Sequence, residues 1–201
     1  VTKTGIVVGD TLGVSYSDQL KAYDGVMNLE RTWVDGNSLI INSIMDRLWL
    51  NYAKGNFEIR VGRQRINWGV NTVWNPNDLF NTLNYLDFDY EERPGADAIR
   101  AQYYVGEMSS FDVAYKWAED PENNVAALKY KFNTHTYDVQ ILVGKYQKDL
   151  AAGFGWAGNI KQAGFKGEGT YFIPYDSLST ATGVLSFSTT LEYGFKRGWT
   201  G

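Results

Sequence analysis

Apolar and polar residues alternate along most of this chain, and the three-to-four spacing of a helix is hard to find. About eleven strand-like segments follow one another, at residues 5–16, 20–33, 39–53, 56–66, 97–106, 110–119, 124–133, 136–147, 150–160, 162–173 and 183–196. Most span about 10 to 12 residues, where globular strands usually have about 5–6 and a tilted bilayer-crossing strand needs about 9–11. One face carries Ile99, Ala101, Tyr103 and Val105, then Phe111, Val113, Tyr115 and Trp117, then Ala126, Leu128, Tyr130 and Phe132. It continues through Tyr137, Val139, Ile141 and Val143 to Leu185, Phe187, Leu191, Tyr193 and Phe195. The opposite face carries Arg100, Gln102, Asp112, Lys116, Lys129, Lys131, Asp138, Gln140, Lys166, Glu168 and Glu192. This period of two, with one apolar and one charged side, predicts an all-β chain. The expected architecture is a single antiparallel up-and-down transmembrane β-barrel domain over residues 1–201.

Connections alternate in length. Those at 16–20, 54–56, 106–109, 133–135 and 158–161 are tight, those at 34–38, 67–96, 120–123 and 174–182 are longer, and the short link at 147–149 is the exception. Tight turns at one end and long loops at the other are the pattern of an outer-membrane barrel. Two turns suggest a register. With Gly55-Asn56 as a two-residue turn, Tyr52 pairs with Ile59, Leu50 with Val61 and Asn51 with Arg60, and Trp49 covers Gly62. With Asn133-Thr134 as the next, Lys129 faces Asp138 while Tyr130 faces Tyr137.

Composition changes this picture in a few respects. A mean hydropathy of −0.34 over 201 residues looks soluble, but a barrel strand shows lipid only every second residue, so its average is polar. No apolar run is long enough for a transmembrane helix. The net charge of −4 argues against non-specific nucleic-acid binding, and the absence of cysteine removes disulfides, thiolate metal sites and cysteine nucleophiles. A lipocalin-like soluble barrel shares the alternation with its apolar face inward, yet ten or more strands would enclose an apolar void too wide to fill. Tyr130, Phe132 and Tyr137 beside a tight turn and Trp117 at the opposite rim suit the aromatic girdles of a membrane barrel; in a sandwich the same rings would be core. Single-chain bacterial barrels have even strand counts, and Arg197-Gly198-Trp199-Thr200-Gly201 runs past the last segment, so the chain reads as part of a larger barrel. Residues 1–13 lack a basic-then-apolar leader, which a mature exported protein would have lost.

The segment 67–96 breaks the rhythm and is too long for an idle connection. Gly62-Arg63-Gln64-Arg65-Ile66-Asn67-Trp68-Gly69 leads into Trp74-Asn75-Pro76-Asn77-Asp78-Leu79-Phe80-Asn81, and the segment closes with Asp87-Phe88-Asp89-Tyr90-Glu91-Glu92-Arg93-Pro94-Gly95. Asn75 as N-cap and Pro76 at the first position predict a short helix over 76–83, with Asp78 in its first turn. The segment is expected to fold into or over the barrel mouth, bringing Trp68, Asn75, Pro76, Asp78, Asp87, Asp89, Glu91, Glu92 and Arg93 there.

The G-R-Q-x-x-N-W-G strand end followed by N-P-x-D resembles porin-like bacterial outer-membrane barrels of the alginate-export type, over roughly residues 46–100. The resemblance implies a larger full-length barrel, an outer-membrane location and passive passage of solutes, or an orphan barrel without an assigned substrate. The polar face mixes Lys129, Lys131 and Lys166 with Asp112, Asp138, Glu168 and Glu192. A polyuronate exporter would present a uniformly basic track, so alginate is not supported as the solute.

Arg60, Arg63, Arg65 and Arg100 flank the base of the long segment and suit either the positive wall of an anion-selecting constriction or an ion-pair network with the loop carboxylates and Glu58. Asp87, Asp89, Glu91 and Glu92 offer hard oxygen ligands but lack the glycine turn and terminal glutamate of an EF-hand. A solvated acidic loop accounts for them, and no metal or cofactor is expected. His135 has no carboxylate or serine near it in sequence, and Ser186 and Ser188 fall on the charged face, so no catalytic role follows. Gly153 and Gly155, with Ala151 and Ala157, leave one strand bare on its polar side, as room for a packed segment or as simple sheet curvature.

The expected lining is therefore Glu58, Arg60, Arg63, Arg65, Arg100, Asp112, Lys116, Lys129, Asp138, Lys166, Glu168 and Glu192. Three functions suit it: a porin-like passive channel for small polar or charged solutes, a non-conducting scaffold subunit with a protein partner, or a soluble ligand-binding β protein. Outer-membrane lipids and lipopolysaccharide are the expected surroundings of the first two, and nucleic acid of none.

Overall fold

The computed structural model describes residues 2–7, 25–36, 39–72, 74–81, 95–177 and 182–194. The chain is all-β. Three strands, β1 (Thr2–Val7), β2 (Glu30–Gly36) and β3 (Leu39–Met45), form a small antiparallel sheet in the order β1-β3-β2. The other nine are β4 (Leu48–Lys54), β5 (Phe57–Gln64), β6 (Ala96–Val105), β7 (Ser109–Lys116), β8 (Val125–Thr134), β9 (Tyr137–Tyr146), β10 (Asp149–Ile160), β11 (Ala163–Pro174) and β12 (Val184–Tyr193). They form one sheet in strict sequence order, each strand antiparallel to the next. The strand expected over 39–53 is two strands: the chain breaks at Asp46-Arg47, where the Asp46 carboxylate turns to accept the Gly95 N–H at 3.2 Å. Expected strand residues 8–16, 20–24 and 195–196 lie outside the described residues.

Connections at one end of the large sheet are the short turns 55–56, 106–108, 135–136 and 161–162; at the other lie 65–95, 117–124, 147–148 and 175–183. Each two-residue turn begins with a positive φ: 58° at Gly55, 56° at His135, 55° at Gln147 and 57° at Lys161, as hairpin turns of right-twisted strands require. The register read from Gly55-Asn56 is the one observed, with Tyr52 opposite Ile59, Asn51 opposite Arg60 and Trp49 opposite Gly62. The register read from Asn133-Thr134 is corrected. The turn is His135-Thr136, so Asn133 faces Asp138, Lys129 faces Leu142 and Tyr130 faces Ile141. His135 supplies the positive φ, and Asn133 Nδ2 donates to Asp138 at 2.9 Å across the ladder. The displacement is even along each strand, so every side chain keeps its face.

The two faces differ as their sequences do. Phe111, Tyr130, Ile141, Phe154, Gly169 and Phe187 form one cross-strand row, and Val113, Leu128, Val143, Ala152, Tyr171 and Leu185 another. These apolar rows are open: Val113 is 50% exposed, Val143 51% and Leu185 67%. The buried cluster lies on the other face. There the sheet contributes Ala96, Ala98, Ala114, Val125, Ala127, Leu142 and Ala151, and the segment after β5 contributes Ile66, Trp68, Leu79 and Phe80. Small residues in the strands thus make space for large ones in the segment laid across them.

Candidate functional site

The candidate site is the charged face of the large sheet together with residues 65–72 and 74–81, which fold onto it. The base of this insert is closed where the Ile66 N–H donates to Asn81 Oδ1 at 2.8 Å. Its floor is set by missing side chains. A Cβ at Gly153 would stand 2.7 Å from Asn77 Oδ1, and one at Gly155 would stand 3.0 Å from Asn77 Nδ2. The bare strip on β10 is therefore a seat for a packed segment. Asn77 fills it, donating to the Phe154 carbonyl at 3.2 Å, with the buried Thr170 hydroxyl 2.7 Å from Asn77 Oδ1 and 2.9 Å from the Pro76 carbonyl. No helix starts at Pro76 over the described 74–81. One turn forms instead, with the Asp78 N–H on the Asn75 carbonyl at 3.0 Å, because Asn77 is committed to the sheet and Asp78 is buried with it.

Trp68 crosses the middle of the face. Its Nε1–H donates to Asp112 Oδ2 at 2.9 Å, its carbonyl accepts from Gln140 at 2.7 Å, and its ring lies 4.9 Å from Phe80, edge to face. Next, the Val70 N–H donates to Glu168 Oε2 at 2.7 Å and Asn71 Nδ2 to Ser188 Oγ at 2.8 Å. Side chains from β7, β9, β11 and β12 therefore converge on Trp68 to Asn71.

Asp112 is the electrostatic centre. It is 1% exposed and accepts from Arg100 Nε at 3.0 Å and Nη2 at 2.5 Å, with Lys129 Nζ at 3.7 Å. Toward the edge of the face, Arg60 pairs with Glu58 at 3.1 Å and leans on Trp49. Lys131 pairs with Asp138 at 3.0 Å and Lys166 with Glu192 at 2.6 Å. Lys116 lies on the same face, opposite Ala98 and Val125, and Arg65 lies half-buried just past β5. A cleft of about 250 Å³ remains between residues 67–70 of the insert and β8–β10, on the side of the short turns.

Arg63 is a correction. It shares the face of Val61 and pairs in register with Asp97, away from the charged rows. Its Nε donates to Asp97 Oδ1 at 2.8 Å, and its Nη1 and Nη2 donate to the carbonyls of Met45 at 3.2 Å and Met27 at 2.5 Å. The Met27 N–H closes the arrangement on Asp97 Oδ2 at 2.7 Å. Proximity to the long segment suggested the wrong side; the period of two gives the observed one.

Trp68, Asn75, Pro76 and Asp78 lie on the insert, and Trp68, Pro76 and Asp78 are buried. Asp87, Asp89, Glu91, Glu92 and Arg93 lie outside the described residues. Asp97, Gln140, Asn77, Thr170 and Ser188 were missed as functional positions; for all but Asp97 the signal available was a place on the polar side or in the N-P-x-D element. Comparison with protein-family models, curated proteins and solved structures finds no match for this chain.

Proposed function

We propose that the chain forms the wall of a bacterial outer-membrane β-barrel of the porin-like kind, with its polar face toward a lumen that residues 65–81 constrict. One observation carries the reading: the apolar face of a nine-stranded sheet is open, while its charged face is covered by the chain's own insert. An open apolar surface of that extent needs a cover, and lipid acyl chains supply one without sequence-specific contacts. Strands of 10 to 12 residues from β8 to β12 are long enough for a tilted crossing. Paired rings supply interfacial belts: Phe111 stacked on Tyr130 at 4.5 Å near the short turns, and Tyr115 edge to face with Trp117 at 4.9 Å toward the long connections. Outer-membrane lipids and lipopolysaccharide are then the partners of this face.

In this reading small polar or charged solutes pass between the insert and the ion-paired rows of Glu58, Arg60, Lys131 and Asp138. Reconstitution into a planar bilayer gives discrete conductance steps, and removal of residues 68–80 enlarges them; silence from both proteins refutes the channel. A sealed scaffold is the second reading, favoured by the bonds that hold the insert on Asp112, Glu168 and Thr170. It predicts silence from the intact chain, conductance only after the deletion, and a stoichiometric protein partner on purification in mild detergent.

A further inference from the structure

Three arginines of the expected anion-selecting wall are already occupied: Arg60 by Glu58, Arg63 by Asp97 and Arg100 by Asp112. Lys129 is placed differently. Its Nζ stands 3.7 Å from Asp112 Oδ2, an oxygen that already accepts from Arg100 Nη2 at 2.5 Å and from Trp68 Nε1 at 2.9 Å. One carboxylate thus serves two cations. The Lys129 side chain is only 11% exposed, and its Nζ lies 5.0 Å from the centroid of the Trp68 ring.

Lys129 lines the cleft of about 250 Å³, with Lys131 beside it. Among the described residues the acidic member of that lining is Asp138, which already accepts from Lys131 at 3.0 Å and from Asn133 at 2.9 Å. Glu168 receives the Val70 N–H and does not line the cleft. Ala157 keeps one wall low, and Gln140 and Asn67 add polar groups to the others.

We propose that this cleft binds one small carboxylate anion between the ammonium groups of Lys129 and Lys131. The inference rests on the reading of the polar face as a solute pathway and names the solute class. The volume is that of about eight waters, which suits a compact hydroxy or keto acid. A bound carboxylate would supply Lys129 with a charged acceptor that it need not share, as it shares Asp112 with Arg100, Trp68 and Gln102.

The test is calorimetric titration of the full chain in detergent with potassium lactate, exchanged against chloride at constant ionic strength. Saturable binding is expected, weakened at least about tenfold by Lys129→Gln and less by Lys131→Gln, with Lys54→Gln as the unchanged control. Lys131 is 44% exposed, so its variant keeps the test meaningful if loss of the buried Lys129 disturbs folding. A flat wild-type isotherm overturns the site, as does binding untouched by both cleft variants. A protein that conducts but ignores lactate overturns the site alone; one that binds lactate but passes no current supports the site and overturns the channel.

Discussion

Two buried arginine–aspartate pairs lie on opposite sides of one sheet. Arg100 and Asp112 belong to the charged face, where Trp68 of the insert covers them, and Lys129 and Gln102 share the carboxylate. Arg63 and Asp97 belong to the apolar face. There backbone closes over them, through Met27 and Met45, and the two side chains are 1% and 2% exposed. The first pair is one part of a polar layer under the insert, and the second is held by backbone groups of Met27 and Met45. The difference teaches that side and cover are separate properties: alternation along a strand assigns the side, and a distant stretch of chain supplies the cover.

The largest expected effects are at the two aspartates. Asp97→Ala removes the carboxylate that meets the buried Arg63 guanidinium at 2.8 Å and costs about 3–5 kcal/mol, measured by urea unfolding in micelles. Asp112→Ala removes the acceptor shared by Arg100, Lys129 and the Trp68 N–H and costs a comparable amount; a much smaller loss there would show that water replaces the carboxylate on the charged face but not on the apolar one. Next come paired replacements. Arg63→Met with Asp97→Leu strands the Met27 N–H and the Met27 and Met45 carbonyls, and Arg100→Met with Asp112→Leu strands the Trp68 N–H and Lys129; each costs about 1–3 kcal/mol. Gly153→Ala pushes a methyl group against Asn77 and Leu142, costing about 1–3 kcal/mol and loosening the insert. Gly164→Ala meets only ordinary contacts at 3.6 Å and beyond, so it should leave stability unchanged. A smaller effect of opposite sign lies outside both pairs: His135→Gly relieves a positive φ at a hairpin turn and stabilises by about 0.5–1 kcal/mol, read as a higher unfolding midpoint.

Much of the sheet follows from alternation alone, since Ile99 to Val105 and Phe111 to Tyr115 fall on the side their period assigns. Gly55 marked its turn correctly because glycine adopts a positive φ without strain. His135, Gln147 and Lys161 carry the same backbone geometry with no such mark, which is why one register slipped toward Asn133-Thr134. The seat for the insert was visible in Gly153 and Gly155, where absent side chains leave space. What filled it was not, because Asn77 and Thr170 meet across ninety-three positions of sequence and local propensity at Asn75-Pro76 speaks only for a helix start. Asp97 escaped notice for a related reason: a lone acid at the start of an apolar row declares no partner until residues 25–29 lie over it.

The antiparallel order from β4 to β12 has an arithmetic consequence. Nine strands in alternating directions begin and end with the same polarity, so β4 and β12 run parallel to one another. Joined directly, they would form a seam with the slanted, evenly spaced hydrogen bonds of a parallel pair. An all-antiparallel cylinder containing this sheet therefore requires an odd number of additional strands between its two edges, and at either edge the first of them must run opposite to both β4 and β12.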